Sequence, residues 1–186
     1  MRILFLGAPI APKSTPGITD QQRFDATGKN TGNLLIGQSL FEELDFAEYG
    51  YGTCIPPGEA NLRFDVIVVG AANFIFRGFD LGPMAEFIEK TMLPCVMVGL
   101  GVQAPAVGSA VTDIPEGTHR LLQIVADRSK SIGVRGHFTA EILNDFGIRT
   151  ARAVGCPSLF RRLNRNLTIR RPPSDRPMRI SLNGSR

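Results

Sequence analysis

A chain of 186 residues, 43% hydrophobic and 20% charged, can bury the core of one ordinary domain and is too apolar to be a disordered polymer. No run approaches the ~20 apolar residues of a membrane span, and the opening MRILFLGAPI is too short and turns too soon for a secretory signal. The net charge of +4 is unevenly spread: residues 149–186 carry ten arginines against the single acid Asp175, near +9, which leaves about −5 for the first 148 residues. An arginine-rich end without interleaved aromatics reads as a solvated linker and domain edge, so no nucleic-acid partner is expected. Cys54, Cys95 and Cys156 lie far apart and fit no metal or redox spacing; they read as reduced, partly buried thiols of a cytoplasmic protein.

Along the chain, apolar runs alternate with segments of helical period. RILFLG (residues 2–7) predicts a first buried strand, followed by a long Pro/Gly/Thr-rich loop through Asn30. TGNLLIGQSLFEELDF places Leu34, Leu35, Leu40, Phe41 and Leu44 at mostly helical spacing, which starts a helix near Gly32 or Asn33. FDVIVVG is a strand buried on both faces and ending at Gly70, and LGPMAEFIEKTM is a helix with Pro83 in its first turn. PCVMVG is a further buried strand ending at Gly99. IPEGTHRLLQIVADRSK then reads as a helix carrying an exposed His119. SIGVR is a strand, FTAEILNDFGI a helix that Gly147 can cap, and TARAVG a short closing strand.

This alternation predicts an α/β, Rossmann-like fold, a parallel sheet with helices on both faces. Such sheets bind ligands beyond the carboxyl ends of their strands, so Gly7, residues 70–74, residues 99–103, Arg135 and His137 should converge on one rim. The boundaries expected are a domain over residues 1–165, a basic Pro-rich linker over 166–177 and the first strand of a second domain over 178–186.

Arg135 ends one of these strands. A guanidinium suits a carboxylate or phosphate, Gly136 allows close approach to the backbone, and the next helix adds its positive end. The same arginine would equally suit pairing with an acid or capping a neighbouring helix. His137 is a proton donor or acceptor near neutral pH, or else a residue that opens a helix with a local hydrogen bond. GKNTGNLLIG brings Asn30 and Asn33 to a helix start, where backbone and amide donors can cradle an anion or sugar hydroxyls. GAANF and GLGVQ clear space at the rim and offer Asn73 and Gln103, or simply pack strand against helix. No phosphate-binding P-loop, GxGxxG fingerprint, Gly-x-Ser-x-Gly elbow or metal-ligand cluster appears in the sequence.

Taken in order, NTGNLLIGQSL, FDVIVVGAANF, PCVMVGLGVQAP, SIGVRGHFTAEILNDFGI and GCPSLF resemble the polysaccharide pyruvyl transferase family across most of residues 1–160. The resemblance implies the first half of a two-domain, GT-B-like architecture. It also implies transfer of pyruvate from phosphoenolpyruvate, as a ketal, to two hydroxyls of a sugar on a surface polysaccharide or its lipid-linked precursor. It implies phosphoenolpyruvate as donor substrate with no cofactor or metal, a saccharide acceptor, and a cytoplasmic location with peripheral contact at the inner membrane face. By position, Arg135 becomes the donor-binding arginine and His137 the general acid. Two departures stand out: Gly32-Asn33 occurs where the family often has Gly-Asp, and Gly70-Ala71-Ala72 replaces a run of glycines. With the second half absent, the 186-residue chain alone is expected to be catalytically incompetent. Two other readings are a GT-B glycosyltransferase using a nucleotide sugar, and a non-catalytic polyanion-binding domain relying on Arg161, Arg162, Arg170 and Arg171.

Overall fold

The computed structural model describes residues 1–10, 19–104, 111 and 113–160. Its strands are β1 (Arg2–Gly7), β2 (Glu48–Tyr51), β3 (Val66–Gly70), β4 (Asn73–Ile75), β5 (Cys95–Val102), β6 (Ile132–Val134) and β7 (Ala151–Ala153). The helices are α1 (Asp20–Ala26), α2 (Thr31–Glu43), α3 (Pro57–Arg63), α4 (Gly82–Lys90), α5 (Glu116–Arg128) and α6 (His137–Asp145), with a 3₁₀ turn over Pro157–Leu159.

All strands pair in parallel, in the order β2-β1-β3-β5-β6-β7. β4 takes up pairing with β5 at Gly101, just above the point where β3 leaves it at Val98. The α/β class expected from the alternation is therefore the fold observed. Its two faces are unequal for a topological reason. Right-handed crossovers put a helix on one face when the chain moves one way along the sheet and on the other when it moves back. Only the β1-to-β2 step, which carries α1 and α2, runs backwards, so α2 packs on one face, beside the 3₁₀ turn, and α3 to α6 share the other.

Side-chain alternation follows this division. Leu4, Leu6, Ile67, Val69, Cys95, Met97, Ile132 and Val134 are buried beneath the helices α3 to α6 in one continuous core. Ile3, Phe5 and Val68 point the other way, under Phe41, Leu44 and Phe46. Phe5, Phe41, Phe46 and Tyr49 contact one another at tilted and edge-on angles with centroids 4.8–5.7 Å apart, which fixes α2 to the edge of the sheet.

Several expectations need correction. The segment expected to be loop through Asn30 contains α1, which Thr19 and Gln22 start with a reciprocal capping box. β2, α3 and β4 were not predicted, and β5 runs on past Gly99 to Val102. α2 begins at Thr31 because Asn30 caps it, its Oδ1 accepting from the Gly32 N–H at 2.9 Å. His119 is half-buried, edge-on against Phe146, rather than exposed. The thiols also differ from one another: Cys54 is exposed, Cys156 half-buried, and Cys95 fully buried, with burial pushing its pKa up to about 12. The linker over 166–177, the strand over 178–186 and the four arginines of the polyanion reading lie outside the described residues. Among those described, no helix is long and apolar enough to cross a membrane.

Candidate functional site

In a sheet ordered β2-β1-β3, the strand order reverses between β1 and β3, and the space beyond their carboxyl ends is left open by the diverging connections. A cavity of about 450 Å³ occupies that place. Its floor is Gly7. That residue holds φ +86°, and a Cβ there would lie 2.4 Å from the Gly70 carbonyl oxygen, so only glycine fits. The Ala8 N–H donates to the same oxygen at 2.6 Å, pinching β1 against β3 just below the opening.

The cavity's side chains arrive from three places. The turn between α1 and α2, which passes through the left-handed conformations of Gly28 and Lys29, brings Thr27, Asn30 and Asn33. The strand ends bring Asn73 and Gln103. The β4–α4 connection brings Phe76 and Phe79, whose rings stack at 5.0 Å and 10°, with Phe74 tilted against Phe79 and Met84 beyond.

Not all of the amide capacity is free. Asn30 uses its oxygen as the helix cap and keeps its NH₂ group, whereas Asn33 donates Nδ2 to the Thr27 carbonyl at 3.1 Å and keeps its oxygen. The exposed amides of Asn73 and Gln103 make no side-chain hydrogen bond to another described residue, so each presents a donor and an acceptor together.

Arg135 lies beside this cavity. Its backbone N–H extends the β6 pairing to the Leu100 carbonyl at 2.9 Å, and its Nε donates to the Gly99 carbonyl at 2.8 Å. The half-buried guanidinium ion-pairs with no acid among the described residues, and its terminal nitrogens bond none of them. Gly101 is the meeting point: a Cβ there would be 2.7 Å from Asn73 Oδ1 and 3.4 Å from the Arg135 guanidinium carbon. The absence of a side chain lets Asn73, which lines the cavity, and Arg135, which does not, share one spot on the rim.

His137 is placed differently. It is exposed at the first turn of α6 and lines a separate shallow groove of about 330 Å³ with Ala140, Glu141, Asn144 and Asp145. The rim residues expected to converge thus divide in two: Asn30, Asn33, Asn73 and Gln103 surround one cavity, and Arg135 borders it while His137 faces outward. The aromatic side of the cavity was not predicted. Its signal was present in NFIFRGF, where three phenylalanines follow a strand end within six residues.

Pro157 lies over Gly99 and the Cys156 thiol lies 3.0 Å from the Ser158 hydroxyl, so the GCPS turn is folded back onto the middle of the sheet beside Arg135's anchor. Among the described residues, the segments that carried the resemblance form β3, β5 and β6, the helices α2 and α6, and the turn over Gly99. The sequence model of the polysaccharide pyruvyl transferase family matches residues 29–180, more than four-fifths of the chain. The chain belongs to this family. No curated protein and no solved structure matches it. The family match takes in Asn30, Asn33, Asn73, Gln103, Arg135 and His137.

Proposed function

We propose that the protein moves the pyruvyl group of phosphoenolpyruvate onto two hydroxyls of a sugar, forming a ketal on a surface polysaccharide or its lipid-linked precursor. Arg135 carries this reading. It is a half-buried guanidinium fixed by Nε to a backbone carbonyl, with its terminal N–H groups turned to no described acid. A fork of donors held in this way is prepared for a carboxylate or phosphate oxygen pair.

The chemistry asks for little else. A proton added to the donor's methylene carbon leaves cationic character at C2, and one acceptor hydroxyl adds there. The C2–O bond to phosphate then breaks, and the second hydroxyl closes the ketal. Of the two protons the hydroxyls release, one balances the new methyl group and the other leaves with phosphate. On this reading Arg135 binds the donor's anionic groups and restrains them as charge shifts, while His137, which faces its own groove, is given no part in the proton transfer. Phosphoenolpyruvate is the donor substrate and no cofactor is assigned. A lipid-linked acceptor would bring the protein to the cytoplasmic face of the membrane as a peripheral visitor.

Titration of the protein with phosphoenolpyruvate, followed by ³¹P NMR or calorimetry, tests the reading. Saturable binding is expected. Arg135→Ala should weaken it on the order of 10- to 100-fold, the worth of a charge-assisted bond. Unchanged affinity in that variant would remove Arg135 from the donor site. A protein that binds nucleotide sugars and ignores phosphoenolpyruvate would overturn the reading as a whole.

A further inference from the structure

The cavity over Gly7 and the shoulder at Arg135 offer different chemistry, and the difference assigns each to a substrate. All fifteen described residues lining the cavity are uncharged. Resting on the pyruvyl-transfer reading, we infer that this cavity is the acceptor subsite and holds a neutral saccharide ring, with Asn73 at the border between acceptor and donor.

Hydrogen-bonding capacity is the first ground. An anionic phosphate or carboxylate accepts hydrogen bonds and donates none, so its site is built from donors, preferably cationic. A sugar hydroxyl both donates and accepts. The side-chain amides of Asn73 and Gln103, which bond no other described residue, each pair a donor with an acceptor. Asn30 and Asn33 divide the two capacities between them, a free NH₂ group on one and a free oxygen on the other. This set complements neighbouring hydroxyls and leaves half its capacity idle against an anion.

The aromatic side is the second ground. Phe74, Phe76 and Phe79 bring phenyl rings to the same cavity. A multiply charged donor set against them would lose water without gaining a counter-charge, which is costly. A pyranose has an apolar face of C–H groups, which suits the electron-rich face of a ring. The volume of about 450 Å³ falls within the usual range for small-ligand sites, roughly 300–1,000 Å³.

Position is the third. Asn73 lines the cavity while its oxygen shares the space above Gly101 with the Arg135 guanidinium. A ring seated in the cavity therefore has its rim next to whatever Arg135 holds, the adjacency that ketal formation from two bound partners requires.

Saturation-transfer NMR on the full chain tests this with two probes, a panel of methyl hexopyranosides and phosphoenolpyruvate. The half-buried Phe76 and the exposed Gln103 can be replaced without opening the core. Phe76→Ala and Gln103→Ala should each weaken glycoside binding by about tenfold or more and leave phosphoenolpyruvate affinity within about twofold, while Arg135→Ala does the reverse. If no glycoside binds, or if the cavity variants lose phosphoenolpyruvate instead, the acceptor assignment is wrong and the pyruvyl-transfer reading stands. If glycosides bind as expected but phosphoenolpyruvate does not bind at all, the cavity takes a sugar and the pyruvyl-transfer reading fails, and with it the assignment of this site as the ketal acceptor's.

Discussion

The two ends of the sheet are built on opposite plans. At the lower end, where the strands begin, polar groups answer one another. Arg2 donates through its backbone N–H and two guanidinium nitrogens to Asp65, and through a third to the Leu62 carbonyl. Arg63 reaches Glu59 and Glu48, and Asn61 accepts from the Met92 N–H. Arg128 closes the end of α4 by donating to the carbonyls of Ile88, Glu89 and Thr91. At the upper end, the amides of Asn73 and Gln103 and the terminal nitrogens of Arg135 have no such partners among the described residues. A group meant for a ligand has to be left unsatisfied by the protein, so stability must be found elsewhere. At the other end of the same strands, the polar groups are matched within the protein.

The comparison is most open to being broken at Gly7, where the binding end also carries structure. Gly7→Ala puts a side chain into a left-handed conformation and against the Gly70 carbonyl. Chemical denaturation should show a loss on the order of 2–5 kcal/mol, with ligand binding falling as the floor of the cavity shifts. A loss under 1 kcal/mol would mean that the β1–β3 pinch is slack. At the lower end, Arg128→Ala removes the cap of α4 and should cost about 1.5 kcal/mol of stability, the low end for charged donors because the side chain is half-exposed. Phosphoenolpyruvate affinity should stay the same in that variant; a change would show that the two ends are coupled.

The smallest effect belongs to Arg2 and Asp65. Hydrogen bonding from Arg2 holds the Asp65 carboxyl below its usual pKa, and the same contact raises that of Arg2. Because the folded carboxyl is the stronger acid, the unfolded chain takes up the proton first as pH falls. The contribution is complete above the ordinary carboxylate range, ~4, and fades as pH drops through the depressed value. Both partners are exposed, so Asp65→Asn should flatten the acid limb of a stability–pH profile only slightly and leave the neutral plateau almost unmoved. A large drop at neutral pH would show the pair to be a major contact.

What the sequence disclosed follows from burial. β1 and β3 announce themselves because strands covered on both faces must be apolar, β5 and β6 because their runs are apolar even though Val96 of β5 is exposed on one face, and α4 and α5 because each lays one face on the core. β2 gave no such signal: its residues are mostly exposed on the edge, and EYGY carries no inward alternation. α1 and α3, at seven residues each, are too short to show a period. β4 exists through its pairing with β5, a partner that no local pattern in NFI could reveal. The polar half of the cavity was legible because amides beside glycines at strand ends are unusual. The aromatic half was missed although NFIFRGF carries it, because only the β4–α4 connection shows that Phe76 and Phe79 reach the opening.

The chain contains no tryptophan and two tyrosines, and both tyrosines lie in β2. Tyr51 donates its hydroxyl to the carbonyl of Gly7 at 3.1 Å, which ties the outer edge of the sheet to the floor of the cavity. Tyrosine emission from this protein therefore comes entirely from one edge strand, and one of its two sources is bonded to the lining of the candidate site. A molecule settling on Gly7 would be reported as a change in the protein's own ultraviolet glow, with no label attached.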